Sequence, residues 1–415
     1  MNEGLIVDQS DFDAFCEHVA QEGIVAFDTE FVSEYTHRPE LCLMQFATRA
    51  QCVAVDPFEV PNLDRWWQIM ADPKVNVVVH GGQAEIRFCL ELGQCSPKNL
   101  ADIQLAEALR SRSYPLGYAT LVRRVLGCRV HGKETRTDWR RRPLTSHQIH
   151  YALEDVKHVL PIWDKQRRWL KDHGRRDWVE TEFQRMIAEL EEETQRPGWH
   201  RLPGLHRLSL RELAVAQEIS NWRDAEATKR NRPMRKILRD DIIIELARRQ
   251  PTTEKELLAM RDMNRSDYRR VAVFLLKAIE RGLAIPEKEL APLPFPTNGG
   301  DSRDEQVLGQ LLGIALANRC AEMDVAKPLV ATSADLRQLV RWHVFQERSG
   351  PPPRLTQGWR AEVCGDLLSD VLDGRVTLRV SDPTSDHPLS FERVGELSQE
   401  RRAENQEPDG ERPVS

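Results

Sequence analysis

Apolar residues along this chain recur in two periods, and the change from one to the other divides the sequence. Up to about residue 106, short β-rich runs begin at Ile24 (IVAFDTEFV), Leu41 (LCLMQFA), Cys52 (CVAVDP), Val75 (VNVVVH) and Leu100 (LADIQLA). Stretches with apolar spacing of three and four, LDRWWQIMAD and EIRFCLELG, lie between the later ones. The first three runs follow one another closely, which predicts an antiparallel start to a sheet. The last two each follow a helical stretch, which predicts crossovers into added strands. The expected result is an α/β domain with a mixed sheet flanked by helices.

From Thr145 the pattern becomes helical, opened by a capping box of Thr145 and Gln148. Pro161 is expected to kink or end this helix, although WDKQRRWLKDHG resumes the period after it. Beyond about Leu208 the spacing is wholly helical through LSLRELAVAQEISNWRDAEATKR, DDIIIELARR, TEKELLAM and DYRRVAVFLLKAIERG, which predicts a small all-α bundle. The Pro-, Gly- and charge-rich stretch IPEKELAPLPFPTNGGDSRDE reads as a linker, and a second helical block follows, broken by SGPPPR. A faint pattern, RPMRKILRDDIIIELA against KPLVATSADLRQLV, suggests a weak tandem repeat. The expected division is an α/β domain over residues 1–190, a linker at 191–206, and a helical domain at 207–286. A linker at 287–303, a second helical domain at 304–380 and a disordered tail at 381–415 complete it, the tail because it has too few apolar residues to offset its ordering entropy.

At 415 residues the chain is long enough for two or three domains. Apolar content of 40%, charged content of 30% and a mean hydropathy of −0.54 suit packed cores in a water-soluble protein. No segment approaches the roughly 20 apolar residues of a membrane span. The start, MNEGLIVDQSDFDAF, lacks a basic flank and an apolar run, so a cytoplasmic location is expected. The eight cysteines include no CxxC pair, which leaves buried reduced thiols as the expectation. Net charge of −6 gives no global argument for nucleic acid, but cations cluster locally. Arg123, Arg124, Arg129, Lys133, Arg136, Arg140, Arg141 and Arg142 lead into the Thr145 helix. Such a run is either a solvated, salt-bridged face or an electrostatic footprint.

The candidate chemistry is acidic. Residues two apart on a strand point the same way, so Asp28 and Glu30 project together, with Ile24 and Ala26 on that face. Residues four apart share a helical face, so Tyr151 and Asp155 do likewise. With Glu85, in VVVHGGQAEIRF, these carboxylates read as a cage for two divalent metals, Mg²⁺ or Mn²⁺, which want hard oxygen ligands. Hydrolysis of a phosphodiester needs an attacking hydroxide, charge relief on the transition state and stabilisation of the leaving oxygen, and two metals supply all three. A phenol can orient or help deprotonate the attacking water, although Tyr151 could equally be a packed amphipathic residue, and Asp28 with Glu30 a solvated turn. His80 is read as structural, since hard metals prefer oxygen.

At these residues the chain resembles the ribonuclease D family, 3′ exonucleases of the DEDD type whose last motif carries tyrosine. The resemblance rests on FDTEF, HGGQAEIRF and RTDWRRRPLTSHQIHYALEDVKHVLP, with LADIQLA between them, and it covers nearly the whole chain. The helical blocks are similar to the helicase-and-ribonuclease-D carboxy-terminal (HRDC) modules, which that family carries in tandem. The resemblance implies a ribonuclease-H-like exonuclease fold followed by two HRDC-like bundles. It implies that Asp28 bridges two metal ions, and that Glu30 and Asp155 hold the one on the nucleophile side. The implied reaction removes nucleoside 5′-monophosphates stepwise from RNA 3′ ends, with maturing transfer RNA as the substrate.

One position departs from the family. Its second motif carries Asp five residues after the His, where this chain has Glu85. One extra methylene displaces the carboxylate by about 1.5 Å. The expectation is a working enzyme, slower or preferring Mn²⁺; the alternatives are a catalytically impaired RNA-binding relative and a DNA-directed exonuclease of the same fold. For RNA contact the candidates are Lys133, Arg136 and Arg140. Trp139 reads as either a stacking platform or a core anchor, the latter preferred. A second basic group, Lys229, Arg230, Arg232, Arg235, Lys236 and Arg239, lies near Trp222 and Arg223 and suits either solubility or RNA contact.

Overall fold

A computed structural model describes residues 2–130, 137–293, 303–348 and 350–394. The chain packs into two compact units, one of Met1–Leu100, His131–Leu160 and Arg185–Gly299, the other of Ala101–Val130, Pro161–Gln184 and Gly300–Ser415. These units cut across the contiguous blocks expected from composition. An amphipathic helix buries its apolar face against whichever matching face is available, regardless of order along the chain.

The first unit is built on strands β1 (Asn2–Ile6), β2 (Ile24–Val32), β3 (Glu40–Ala47), β4 (Gln51–Val55) and β5 (Asn76–Val79), in the order β1-β4-β3-β2-β5. The sheet's sixth strand is β6 (Leu100–Asp102). β2 pairs antiparallel with β3, and β3 with β4; β1 joins β4 and β5 joins β2 in parallel, so the sheet is mixed as expected. β1 was not foreseen. Of LADIQLA only the first three residues are strand, because the Asp102 side chain accepts from the amides of Gln104 and Leu105 and caps a helix, α4 (Ile103–Ala108).

Helix α1 (Gln9–Glu22) ends at Gly23, whose φ of 69° is the left-handed conformation that favours glycine, and β2 begins at the next residue. On one face of β2, Phe27 stacks on Phe46 at 5.0 Å and meets Trp66 of α2 (Asp64–Met70) edge-on at 4.6 Å. That apolar face anchors the strand and turns Asp28 to the other side. Helix α3 (Gln83–Glu91) starts close against the end of β5, since a Cβ at Gly82 would lie 2.3 Å from Val79 Cγ2. Only glycine permits that approach, and it brings Glu85 into the first turn of α3.

Helix α5 (Tyr118–Leu126) precedes α6 (Ser146–Lys157), which opens on the predicted Thr145–Gln148 capping box. α6 packs across β2, β3 and β4. It stops at Lys157, and α7 (Val159–Asp172) resumes with Pro161 in its first turn, where no interior hydrogen bond is lost. α8 covers Arg176–Gln195.

The stretch expected as a linker at 191–206 is instead part of a core. Trp199 and Leu205, carried by two short 3₁₀ turns, and Leu202 between them are buried with residues of α9 (Leu210–Arg230), α11 (Asp240–Arg249) and α14 (Ala272–Ala284). Spaced by three, these apolar side chains could not stay solvated cheaply. The short helices α10 (Met234–Ile237), α12 (Glu254–Ala259) and α13 (Ser266–Arg269) complete the bundle.

In the second unit, α15 (Arg303–Glu322), α16 (Lys327–Val330), α17 (Ser333–His343), α18 (Gly358–Cys364) and α19 (Leu367–Leu372) are followed by a hairpin of β7 (Val376–Val380) and β8 (Leu389–Arg393). The expected tail therefore begins later than residue 381. The buried Asn318 amide donates to Leu389 O at 3.1 Å and accepts from Leu389 N at 2.9 Å, which docks the hairpin where its few apolar residues could not. Residues 395–415 lie outside the described residues. Buried Glu182 accepts from Arg360 at 2.6 and 3.0 Å and from Trp359 Nε1 at 2.8 Å, so this interior ion pair is fully hydrogen-bonded.

Replacing Gly82 by Ala is expected to cost about 1–3 kcal/mol by overpacking, read as a lower urea midpoint, with part recovered by adding Val79→Ala. An unchanged midpoint would show that α3 does not depend on this close approach.

Candidate active site

All five residues singled out for chemistry belong to the first unit. β2 supplies Asp28 and Glu30, α3 supplies Glu85, and α6 supplies Tyr151 and Asp155 one turn apart. Glu85 is 4% exposed. Asp28, Glu30, Tyr151 and Asp155 are half-buried.

Their charges act on one another across the three elements. Desolvation, then the charges of Glu85, Asp155 and Glu30, hold the Asp28 carboxyl well above the usual carboxylate range. Desolvation, then Asp155 and Glu85, push Glu30 up to about 8. Desolvation lifts Asp155 to about 6 against the opposing effect of a hydrogen bond from Tyr151. Burial, then the charge of Asp155, raises the Tyr151 phenol, which therefore stays neutral at physiological pH. Like charges crowded out of water drive one another toward protonation, and only a cation or hydrogen-bond donors can offset this.

Two neighbours absent from the sequence reading adjoin these acids. The Thr29 hydroxyl donates to Glu85 Oε1 at 2.6 Å, with both side chains buried. Gln45 stands opposite Asp28 in the β2–β3 register, and so on the same face of the sheet. It is fully buried, and neither its amide nitrogen nor its oxygen has a hydrogen-bond partner among the described residues. A polar residue inside the apolar run LCLMQFA was the available signal.

Four carboxylates and an unsatisfied carboxamide are the donor chemistry that a hard divalent cation takes. Among the described residues no group of three or more acidic, histidine or cysteine side chains is arranged so that it could hold a metal ion. By charge and donor type the set nonetheless suits such a cation. His80 follows β5 and is half-buried.

The cations around the site are unequal. Lys133 and Arg136 lie outside the described residues. Arg140 donates to both oxygens of Asp138, at 3.0 and 3.2 Å, and lies over the ring of Tyr35 at 5.2 Å. Trp139 is 4% exposed and packs on Tyr151 with ring centroids 6.3 Å apart, as a core anchor. In the bundle, Arg223 is buried on Asp240 at 2.6 Å, and Arg230, Arg235 and Arg239 pair with Glu226, Asp240 and Asp241. Lys229, Arg232 and Lys236 are exposed.

Residues 5–171 match the family model described as 3′-5′ exonuclease, and residues 212–279 match the HRDC domain. Ribonuclease D of Gluconacetobacter diazotrophicus is 32% identical over 385 residues, 91% of this chain and 94% of the relative. Ribonuclease D of Acidiphilium cryptum is 33% identical over 371 residues, 88% of this chain and 92% of the relative. The chain belongs to the ribonuclease D family. The crystal structure of Escherichia coli RNase D, an exoribonuclease involved in structured RNA processing, is similar with a TM-score of 0.77 at 26% identity, covering 90% of this chain and 99% of that one.

As a ribonuclease D family member the protein is a 3′-5′ exoribonuclease, a hydrolase acting on RNA. Its exonuclease domain has a mixed sheet flanked by helices and precedes an HRDC helical region. DEDD exonucleases are divalent-metal dependent. Among the described residues no helix is long and apolar enough to cross a membrane.

The raised carboxyls make stability depend on pH. With a folded value of about 8 against an ordinary 4.5, Glu30 keeps its proton longer in the folded state. Its contribution is fully present below 4.5 and lost as pH rises through about 8. In chelator, thermal unfolding should therefore fall in temperature between pH 5 and 8, and Glu30→Gln should flatten the fall; parallel curves would refute the shift.

Proposed function

We propose that Asp28, Glu30, Glu85 and Asp155 hold two divalent cations, Mg²⁺ or Mn²⁺, and that the protein trims RNA 3′ ends, transfer RNA precursors among them, to nucleoside 5′-monophosphates. The observation that supports this reading is the crowding of Asp28 by the charges of Glu85, Asp155 and Glu30, and of Glu30 by those of Asp155 and Glu85, acids that come from one strand and two distant helices. Bound cations would supply charge relief for the phosphate and activation of the attacking water. The reaction joins a water oxygen to phosphorus and breaks the bond to the 3′ oxygen, which leaves as the new terminal hydroxyl.

Tyr151 contributes as a neutral phenol. Its O–H donates to Asp155, so its oxygen is left to accept a hydrogen bond from the attacking water and aim a lone pair at phosphorus. Glu85 takes the place of the family's Asp. Its buried bond from Thr29 holds the longer side chain in one orientation, which favours an active enzyme over an impaired RNA-binding relative. The exposed ring of Tyr35, 62% accessible beside Arg140, suits a stacked base next to a phosphate contact, with Lys133 and Arg136 as further contacts.

Digestion of 3′-labelled RNA tests the site. Asp28→Ala and Asp155→Ala should lower kcat by at least ~100-fold, and Glu85→Asp should raise Mg²⁺-supported turnover by up to ~10-fold, one bond length of reach mattering at this precision. A chelator-insensitive trace activity common to all three variants would remove the nuclease assignment from these residues. For binding, Arg136→Ala with Arg140→Ala should reduce the slope of log affinity against log salt by ~1.4, at about 0.7 per contact on single strands. An unaltered slope would exclude both arginines.

A further inference from the structure

One arginine of the basic run has no donor left for RNA. The Arg142 Nε donates to Asp56 Oδ2; Nη2 donates to Asp56 Oδ1 at 2.7 Å and to Cys42 O at 2.8 Å; Nη1 donates to Trp139 O at 2.7 Å and to Arg141 O at 3.0 Å. A guanidinium has five N–H donors, and here five acceptors take them. Its anion, Asp56, is 2% exposed directly after β4, where Oδ1 also accepts from Phe58 N at 3.0 Å and its own amide donates to Ile6 O at 3.0 Å. The guanidinium further lies over the Phe58 ring at 4.6 Å.

This fork ties the chain ahead of α6 to β3, through Cys42, and to the end of β4, through Asp56. Inside that segment it holds two carbonyls, those of Arg141 and Trp139. The Trp139 ring, in turn, packs on Tyr151 at 6.3 Å with the planes inclined by 33°. We propose that Arg142 is a positioning residue for the hydrolytic step: with Asp56 it clamps Trp139 against Tyr151 and so sets the direction of the phenol oxygen. The proposal rests on the role given to Tyr151 above. Lysine cannot replace this arginine, because three donors on one nitrogen cannot span a carboxylate and three carbonyls.

The test is a double-mutant cycle in the full-length protein on 3′-labelled RNA. Arg142→Lys should lower kcat by roughly 10- to 100-fold, the scale of a small misplacement at a reacting centre, while KM and the salt slope of RNA binding stay within about twofold. In a Tyr151→Phe background the same substitution should change kcat by less than about threefold, because its route of action is already gone. An equal fold-loss in both backgrounds would overturn the clamp, as would a loss confined to KM. If Tyr151→Phe alone keeps full kcat, the reading of Tyr151 fails and takes the clamp with it, an outcome distinct from additive losses. Should Arg142→Lys fail to fold by circular dichroism, Trp139→Leu replaces it in the same cycle under the same criteria.

Discussion

The arrangement depends on holding carboxylates together where water is scarce. Asp28 and Glu30 sit above their ordinary pKa because desolvation and neighbouring acids disfavour the charged form, and Asp155 does so through desolvation against the opposing hydrogen bond from Tyr151. Left to itself, such a pocket would relax by turning side chains back to solvent. It persists because every carboxylate is mounted on an element anchored by something else. The Phe27, Phe46 and Trp66 rings anchor β2, the Val79 approach at Gly82 places α3, and a reciprocal cap starts α6. The repulsion is thus borne by the apolar core and by backbone geometry, and a divalent cation bound there would relieve it.

The same logic separates the cations of the molecule into two kinds. Arg223 in the bundle and Arg360 in the second unit are buried and Arg142 in the first unit is half-buried, each with donors directed at carboxylates and carbonyls. A guanidinium can satisfy several acceptors at fixed angles, and so it can fasten one piece of chain to another. Cations left at the surface, such as Arg141, Lys229, Arg232 and Lys236, remain available for a phosphate backbone. Counting positive charges along a stretch of sequence therefore overstates the electrostatic footprint, since pairing decides which charges reach solvent.

Much of the site was legible because its chemistry repeats local periods. Two residues along a strand and four along a helix bring Asp28 beside Glu30 and Tyr151 beside Asp155 without knowledge of the fold. The Thr145 cap and the break before Pro161 are equally local. Thr29 was harder to read, because strict alternation turns it away from Asp28 and Glu30; its hydroxyl nevertheless reaches Glu85 near the irregular register at Glu30 and Phe31. Gln45 was hidden by its apolar neighbours, and the segment around Trp199 by its glycines, prolines and charges.

What the sequence determined by itself were the elements, their apolar faces and the identity of the acids, all consequences of interactions spanning a few residues. Tertiary structure decided which distant groups met. Asp56 reaches Arg142 across 86 positions, and Thr29 reaches Glu85 across 56. The reason is physical: a side chain's partner over such separations is set by how sheet and helices pack, and packing is a property of the whole core. Composition could show that Arg142 is charged; only the closed fold could show that all of its donors are already taken.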